Sequence, residues 1–470
     1  MSIASLMIAA PQGRSGKTTI SMGLCAALRK RGLKVKPFKK GPDYIDPSWL
    51  TAAAGHICGN LDPFMFGETT LKQAFTRGCE NMDIAMIEAS MGLYDSSGED
   101  GIGSSAWLAR LLKVPVILVV NAARMSRSAA AMVSGYINFE PDTGIAGVIL
   151  NNVAGQRHRN KLITAIEKHC GIPVLGCVPS DKRLALEERH IGIVPFIEQD
   201  GSAGKIGKAC AIVENNVDVQ QVLDLAKAAA KGISADGKQV DIISHTAASK
   251  QSPMANVDIG VLYDRAFSFY YPDNLEALQN AGARLIFINS FTDNLPDVDG
   301  LYIGGGFPEL YAAQLEANAV LRRDIARAAR QGLPIYAECA GLMYLCRAII
   351  KDNRRYHMAG IFDQEVEIIA RPQGHGYMVV EARKGNPYFR PGAILKGHEF
   401  HYSRLIGYKA SNAKFEVIRG HGIDGRTDGM AINNTLATYL HLHALSAPGW
   451  ADDFVNLSLS HKMKPVKTLI

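Results

Sequence analysis

The chain has 470 residues, 47% of them hydrophobic and 20% charged, and a formal net charge of +6. That length predicts two or three domains with apolar cores, and no apolar run approaches the roughly 18–20 residues that cross a bilayer. The small positive balance is met by solvated surface lysines as readily as by an anionic partner, so neither a membrane protein nor a nucleic-acid binder is expected.

The N-terminus carries no basic segment ahead of its apolar stretch, which argues against a signal peptide. The eight cysteines are scattered without a Cys-x-x-Cys pair, against a structural zinc or a disulfide framework and for a reduced, cytoplasmic setting.

Ile3 to Ala10 reads as a buried strand, followed by Pro11-Gln-Gly-Arg-Ser-Gly-Lys-Thr-Thr19 and a helix to about Arg31. Strand, glycine loop, Gly-Lys-Thr and helix form a P-loop, although Pro11 stands where the usual pattern has glycine. Gly13, Arg14, Ser15, Gly16, Lys17, Thr18 and Thr19 are the expected ATP contacts. Their backbone N–H groups and the helix N-terminus cradle phosphates, and Lys17 reaches the β and γ oxygens.

Further strands are predicted near Val35–Phe38, Ile84–Ile87, Val116–Val120, Gly147–Leu150 and Pro173–Gly176, with helices between. Such alternation implies a parallel sheet with its ligand beyond the carboxyl ends of the strands. Two acidic clusters fall at such ends, Lys39-Lys-Gly-Pro-Asp-Tyr-Ile-Asp46 and Glu88-Ala-Ser-Met-Gly-Leu-Tyr-Asp95. Mg2+ is a hard cation that takes few protein oxygens beside phosphates, so Thr18, Asp43 and Glu88 are the predicted metal contacts. Glu187 to Gly192 could face the same crevice. A helix near Val217–Ala230 closes the region, and the Lys-, Ser-, Ala- and Gly-rich stretch after it reads as a linker. The predicted division is 1–232, a linker at 233–256, a second domain at 257–450 and a tail at 451–470.

The second domain opens with a strand at Val257–Leu262, then Phe267-Ser-Phe-Tyr-Tyr-Pro-Asp-Asn274 and a helix. Strands at Leu285–Ile288 and Gly300–Ile303 follow. The latter runs into Gly304, Gly305 and Gly306, a platform of bare N–H groups suited to an oxyanion. A long helix is predicted to about Gln331. The strand Leu333–Ala337 then turns at Glu338-Cys339-Ala340-Gly341 into a helix expected to reach Ile350. A cysteine on a sharp strand-to-helix turn is a nucleophile elbow, with Ala340 beside it as a second N–H donor. It needs a base, and two stretches offer histidines, Gly397-His-Glu-Phe-His-Tyr402 and Ala437-Thr-Tyr-Leu-His-Leu-His443. His441 and His443 alternate, so only one can face a given site.

In order along the chain, Gly-Lys-Thr-Thr19, Lys-Gly-Pro-Asp-Tyr-Ile-Asp46, Met-Gly-Leu-Tyr-Asp95, Phe-Ser-Phe-Tyr-Tyr-Pro-Asp-Asn274, Gly-Gly-Gly-Phe-Pro-Glu309, Glu-Cys-Ala-Gly-Leu-Met-Tyr344 and Gly-His-Glu-Phe-His-Tyr402 resemble the cobyrinate a,c-diamide synthase family of glutamine-dependent amidotransferases. The resemblance covers nearly the whole chain. It implies an α/β protein: an N-terminal P-loop, parallel-sheet ATP-binding domain similar to dethiobiotin synthetase, then a C-terminal class I glutaminase-like domain. It also implies amidation of the a and c acetates of a tetrapyrrole polycarboxylate with L-glutamine, ATP and Mg2+. Cys339 would be the nucleophile and His441 its base, with Tyr44 and Asp95 orienting the tetrapyrrole carboxylate or ammonia. Where the wider glutaminase class has His-x-Glu, this chain has His441-Leu-His443, so the group that orients the base is not identified and a Cys–His dyad is expected. A homodimer is compatible with the reading.

Two rivals stand beside it. The same architecture resembles enzymes that amidate sirohaem or nickel-sirohydrochlorin. A non-enzymatic nucleotide switch would share a deviant P-loop, but such proteins carry an extra lysine early in the loop, where this chain has Gln12, and they lack a cysteine-elbow domain.

Overall fold

The computed structural model describes residues 3–181, 186–189, 192–235 and 257–463. Its internal contacts divide it into two compact units, Met1–Ile242 and Ile243–Ile470.

In the first unit, β1 (Ala4–Ala9), β2 (Val35–Lys40), β3 (Gly59–Leu61), β4 (Ile84–Glu88), β5 (Val116–Asn121), β6 (Ile145–Val153) and β7 (Val174–Pro179) form a seven-stranded sheet ordered β3-β2-β4-β1-β5-β6-β7. Every neighbouring pair is parallel. Helices cover the faces, so central strands such as β1 are apolar and buried along their length. Leu6 and Ile8 of β1 share a core with Met22 and Leu24 of the helix Lys17–Lys30, Trp49 of the helix Ile45–Ala54 and Val213 of the helix Ser202–Asn216. The chain winds from β1 to one side and later, through β5, to the other. The crevice of a doubly wound sheet therefore opens at the carboxyl ends of β1, β4 and β5. β3 has only three residues and no periodic signal, and it was not legible in the sequence. In the Glu187–Gly192 stretch, β8 (Glu188–Arg189) pairs antiparallel with β9 (Gly192–Ile193), and residues 190–191 lie outside the described residues. The chain after it packs on the Ile45–Ala54 helix, where Val194 O accepts the Trp49 Nε1 proton at 2.9 Å.

The second unit is built on β10 (Val257–Leu262), β11 (Ala283–Ile288), β12 (Gly300–Ile303) and β13 (Ile335–Glu338). β14 (Cys346–Lys351), β15 (Arg354–His357), β16 (Phe362–Ile368), β17 (Gly374–Ala382), β18 (Ile394–His401), β19 (Ser403–Ile406), β20 (Phe415–Arg419), β21 (Thr427–Asp428), β22 (Met430–Ile432), β23 (Thr435–Thr438) and β24 (His441–Leu442) follow. The central sheet runs β11-β10-β12-β13-β23-β22, parallel except for the last pair, and two smaller sheets run β15-β14-β16-β19 and β21-β20-β17-β18-β24.

Three expectations change here. The helix after the elbow ends at Leu345, because Cys346-Arg-Ala-Ile-Ile-Lys351 is drawn into β14 between β15 and β16. Its β-branched residues find two pairing partners, and tertiary pairing overrides the helical reading. The long helix before the elbow is broken into Ala312–Ala317 and Ala319–Arg330, with the Asn318 side chain accepting the Leu321 N–H to cap the second piece. The stretch read as a tail holds a helix, Trp450–Lys462, whose Trp450, Phe454 and Val455 are buried in the core with Tyr302 and Tyr336. The linker expected at 233–256 is helical to Ala235 and beyond that lies outside the described residues.

Trp450→Ala should therefore destabilise the second unit by roughly 3–5 kcal/mol, as large-to-small core changes do, in equilibrium denaturation. A change below about 1 kcal/mol would mean the helix is an appendage.

Candidate active sites

The crevice of the first unit gathers charge. Gly16 ends the glycine loop with φ 92°, and the helix Lys17–Lys30 starts directly after it. Lys17 Nζ donates to Met91 O at 2.6 Å and to Gln12 O at 3.4 Å. Thr18 Oγ1 donates to Glu88 Oε1 at 2.9 Å and reaches Asp46 Oδ2 at 3.4 Å. Between these carboxylates lies a second lysine: Lys39 Nζ is 2.5 Å from Asp46, 2.8 Å from Glu88 and 3.7 Å from Asp43. Burial opposes the Lys39 charge, but the three carboxylates overcome it and hold the ammonium well above its ordinary range. Lys17 moves the other way, down to about 8, through burial and then the neighbouring Lys39 charge.

Of the predicted metal contacts, Thr18 and Glu88 come together and Asp43 largely does not. Asp43 Oδ1 accepts the Ile45 and Asp46 N–H groups and so starts the Ile45–Ala54 helix. Burial, then the Asp46 carboxylate, pushes the Asp43 carboxyl up to about 7. Asp46, one helical turn on, is the second carboxylate of the cluster. Glu88 is 1% exposed, and among the described residues its Oε2 has no hydrogen-bond partner. The oxygens of Thr18, Glu88 and Asp46, with the free buried Oε2 of Glu88, are of the kind Mg2+ takes, although the Lys39 ammonium lies on the same carboxylates and no three His, Cys, Asp or Glu side chains among the described residues form a metal cluster by themselves.

Tyr44 is half-buried at the start of the same helix. Asp95 is exposed and closes the loop after β4 by accepting the Gly92 N–H at 2.9 Å.

Side chains with no local motif complete this site. Asn151 Nδ2 donates to Ser15 O at 3.0 Å, and Tyr136 donates to Pro11 O at 2.8 Å, so both hold the glycine loop from other strands and helices. A cavity of about 170 Å³ lies beside the start of the P-loop helix, lined by Thr19, Asn151, Asn152, Pro179, Asp181 and Val213 among others. The one sequence signal was a polar Asn-Asn pair ending the apolar strand Gly147–Leu150.

In the second unit β13 lies between β12 and β23. Glu338 registers with Thr438, and Cys339 N donates to Thr438 O at 2.8 Å. Cys339 turns at φ 46°, a conformation costing a non-glycine residue of order 1–3 kcal/mol and typical of strained elbows. Gly341 lets the elbow press on the β12 exit, because a Cβ there would sit 2.5 Å from Ile303 O. The Cys339 thiol is buried and held well above its ordinary range, by burial and then by Glu309, with the Ala340 N–H opposing and Glu338 and Glu399 adding to it. Its resting form is the neutral thiol, so nucleophilic attack needs a base.

The His441 ring lies against the glycine triplet. A Cβ on Gly305 would lie 2.4 Å from His441 Cε1, so only glycine lets the ring pass so close. His398 stacks on His441 with ring centroids 4.8 Å apart and planes 13° from parallel. Burial, then His441 and His443, holds His398 well below the usual imidazole range, so it is neutral. His443 faces elsewhere: its Nε2 lies 3.6 Å from Asp273, its ring 4.5 Å from Tyr271, and its Nδ1 accepts the Leu445 N–H.

The triplet serves differently from the expectation. Gly304 N donates to the Tyr270 hydroxyl at 2.8 Å and Gly305 N to Phe269 O at 3.2 Å, which removes both as oxyanion donors. The Gly306 N–H has no backbone acceptor among the described residues. The long-range Tyr270 contact is what the sequence could not reveal.

Residues 6–193 match the family model for the CobQ/CobB/MinD/ParA nucleotide binding domain, and residues 258–449 match that for the CobB/CobQ-like glutamine amidotransferase domain. Over 470 residues the chain is 42% identical to a cobyrinate a,c-diamide synthase of Methanosarcina acetivorans, covering 95% of this chain and 93% of that one. This chain belongs to the cobyrinate a,c-diamide synthase family. Relatives of the same name from Magnetococcus marinus (40% identical, 96% of each chain) and Archaeoglobus fulgidus (41%, 98% of this chain and 99% of that one) agree. As in the family, a nucleotide-binding domain precedes a glutamine amidotransferase domain, the combination of a glutamine-hydrolysing, ATP-dependent ligase and not of a nucleotide switch. No helix among the described residues is long and apolar enough to cross a membrane.

Gly305→Ala is expected to push the His441 ring out of place and to lower glutamine hydrolysis about ten-fold or more, consistent with the cost of small misplacements at a reacting centre. Glutamine hydrolysis at the unsubstituted rate would mean that the contact carries no catalytic weight.

Proposed function

We propose that this chain amidates the a and c acetate carboxylates of cobyrinate, using ATP and L-glutamine. The observation that carries the proposal is that one chain joins a P-loop charge cluster to a buried cysteine elbow, at 40–42% identity along its length with cobyrinate a,c-diamide synthases. Those relatives favour cobyrinate over sirohaem or nickel-sirohydrochlorin.

In the second unit, Cys339 Sγ attacks the amide carbon of glutamine while His441 accepts the thiol proton and passes it to the leaving ammonia. The Ala340 and Gly306 N–H groups stabilise the oxyanion. A water, deprotonated by the same imidazole, then cleaves the thioester to glutamate and the free thiol.

In the first unit, the loop Gly13–Thr19 holds the phosphates of ATP, and the adenine takes the cavity beside Asn151 and Pro179. Lys17 neutralises charge on the transferring phosphoryl group, and polyphosphate beside it keeps its ammonium protonated. Thr18, Glu88 and Asp46 would hold Mg2+, which supplies charge neutralisation to the phosphates when bound. A substrate carboxylate oxygen takes the γ-phosphoryl group, releasing ADP. Ammonia attacks the resulting acyl phosphate at carbon, and inorganic phosphate leaves as the amide forms. Tyr44 and Asp95 orient the carboxylate or the ammonia.

Cys339→Ala should abolish amidation driven by glutamine while amidation driven by free ammonium persists. Lys17→Ala should lower amidation with either nitrogen donor roughly a hundred-fold or more, yet spare glutamine hydrolysis. Loss of both nitrogen sources in Cys339→Ala, or a fully active Lys17→Ala, would overturn the division of labour. Offering cobyrinate, sirohaem and nickel-sirohydrochlorin side by side checks the macrocycle.

A further inference from the structure

An imidazole that takes a proton on one nitrogen needs a partner on the other, to fix its tautomer and stabilise its cation. The sequence offers His443 where a carboxylate would stand, and His443 faces Tyr271 and Asp273. We propose that Glu338, the residue immediately before the nucleophile, is the positioning residue for His441. The inference rests on His441 being the base.

Glu338 is the last residue of β13 and is 1% exposed, the one charged side chain in a strand otherwise made of Ile335, Tyr336 and Ala337. A carboxylate is not buried at the end of an apolar strand without compensation. Its Oε1 accepts the Leu442 N–H at 3.1 Å and its Oε2 accepts the Tyr302 hydroxyl at 3.2 Å. Oε2 also lies 3.7 Å from His441 Nδ1, within ion-pair range and beyond a full hydrogen bond. A pair at that separation tightens when the imidazole becomes cationic, and catalytic hydrogen bonds are commonly long in the unliganded state. The bond to Leu442 N matters because Leu442 follows His441: the carboxylate grips the backbone next to the base as well as facing its ring.

The surrounding carboxylates are committed elsewhere. Asp428 accepts the Thr438 hydroxyl and the Tyr439 and Leu440 N–H groups. Glu399 accepts the His421 and Gly422 N–H groups and lies beside His401, while Asp273 lies beside His443. Among the described residues, His441 faces Glu338 from β13 and stacks on the neutral His398 from β18, on which His443 also acts, while Glu309, Glu338 and Glu399 act on the Cys339 thiol. Glu338 places its carboxylate 3.7 Å from His441 Nδ1. A triad is thereby completed from the nucleophile's strand, in place of the base's.

The test is glutamine hydrolysis by the full chain across pH in Glu338→Gln, Glu338→Asp and His441→Ala. Loss of the orienting carboxylate in a triad costs up to roughly 10⁴-fold in kcat. Glu338→Gln is expected to lower kcat at least a hundred-fold while KM for glutamine changes less than about three-fold. Glu338→Asp, which keeps the carboxylate, is expected to recover part of the rate. In the unsubstituted chain, the Nδ1 proton of His441 should give a far-downfield NMR signal that vanishes in His441→Ala. That signal decides the matter even if Glu338→Gln fails to fold. A Glu338→Gln variant with unchanged kcat, or absence of the downfield proton, overturns the proposal. If His441→Ala itself retains glutamine hydrolysis, the assignment of the base fails instead.

Discussion

The second unit depends on one strand pairing. β13 and β23 run parallel in the register Ile335↔Thr435 to Glu338↔Thr438, and Cys339 N closes the ladder on Thr438 O. Because both strands end at the same height, the elbow and the segment leading to His441 leave the sheet side by side. Asp428 braces that exit by accepting the Thr438 hydroxyl and the next two backbone N–H groups. Gly305 and Gly341 let β12 press against both. A one-residue slip would turn Glu338 and Cys339 to opposite faces from those they occupy, so the proposed glutaminase chemistry depends on this register.

The first unit rests on a different constraint, balance of charge in a largely buried crevice. Lys39 sits among Asp46, Glu88 and Asp43, and Thr18 bonds to the same Glu88 oxygen as that ammonium. An isolated buried carboxylate or ammonium would neutralise itself, whereas this mutual arrangement keeps Lys39 charged and Asp46 ionised, the latter held below its ordinary range by Lys39 against the cost of burial. Phosphoryl transfer asks the protein mainly for positioning and charge neutralisation, which such a cluster supplies.

Local patterns were legible and long-range contacts were not. The P-loop and the elbow are strand–turn–helix events whose residues are contiguous, so the loop before Lys17 and the turn at Cys339 are visible in the local sequence, as is the alternating α/β class. Cys346–Lys351 reads as helix from the sequence because it follows a helical turn directly, whereas the strand partners that draw it into β14 lie elsewhere in the chain. The sequence does not say which of Asp43 and Asp46 caps the helix and which bonds the lysine. The donors of the glycine triplet were misjudged because the Tyr270 hydroxyl comes from a loop more than thirty residues earlier. Glu338 had a signal that went unused: a carboxylate in an apolar, buried parallel strand requires a partner.

The central claim is that the strained, buried Cys339 is the nucleophile among the eight cysteines of the chain. The most direct measurement is covalent capture with a diazo-ketone analogue of glutamine, followed by peptide mass mapping. A single adduct on Cys339, suppressed by competing glutamine, is the predicted result. An adduct on any other cysteine, or none under conditions that support glutamine hydrolysis, would contradict the account.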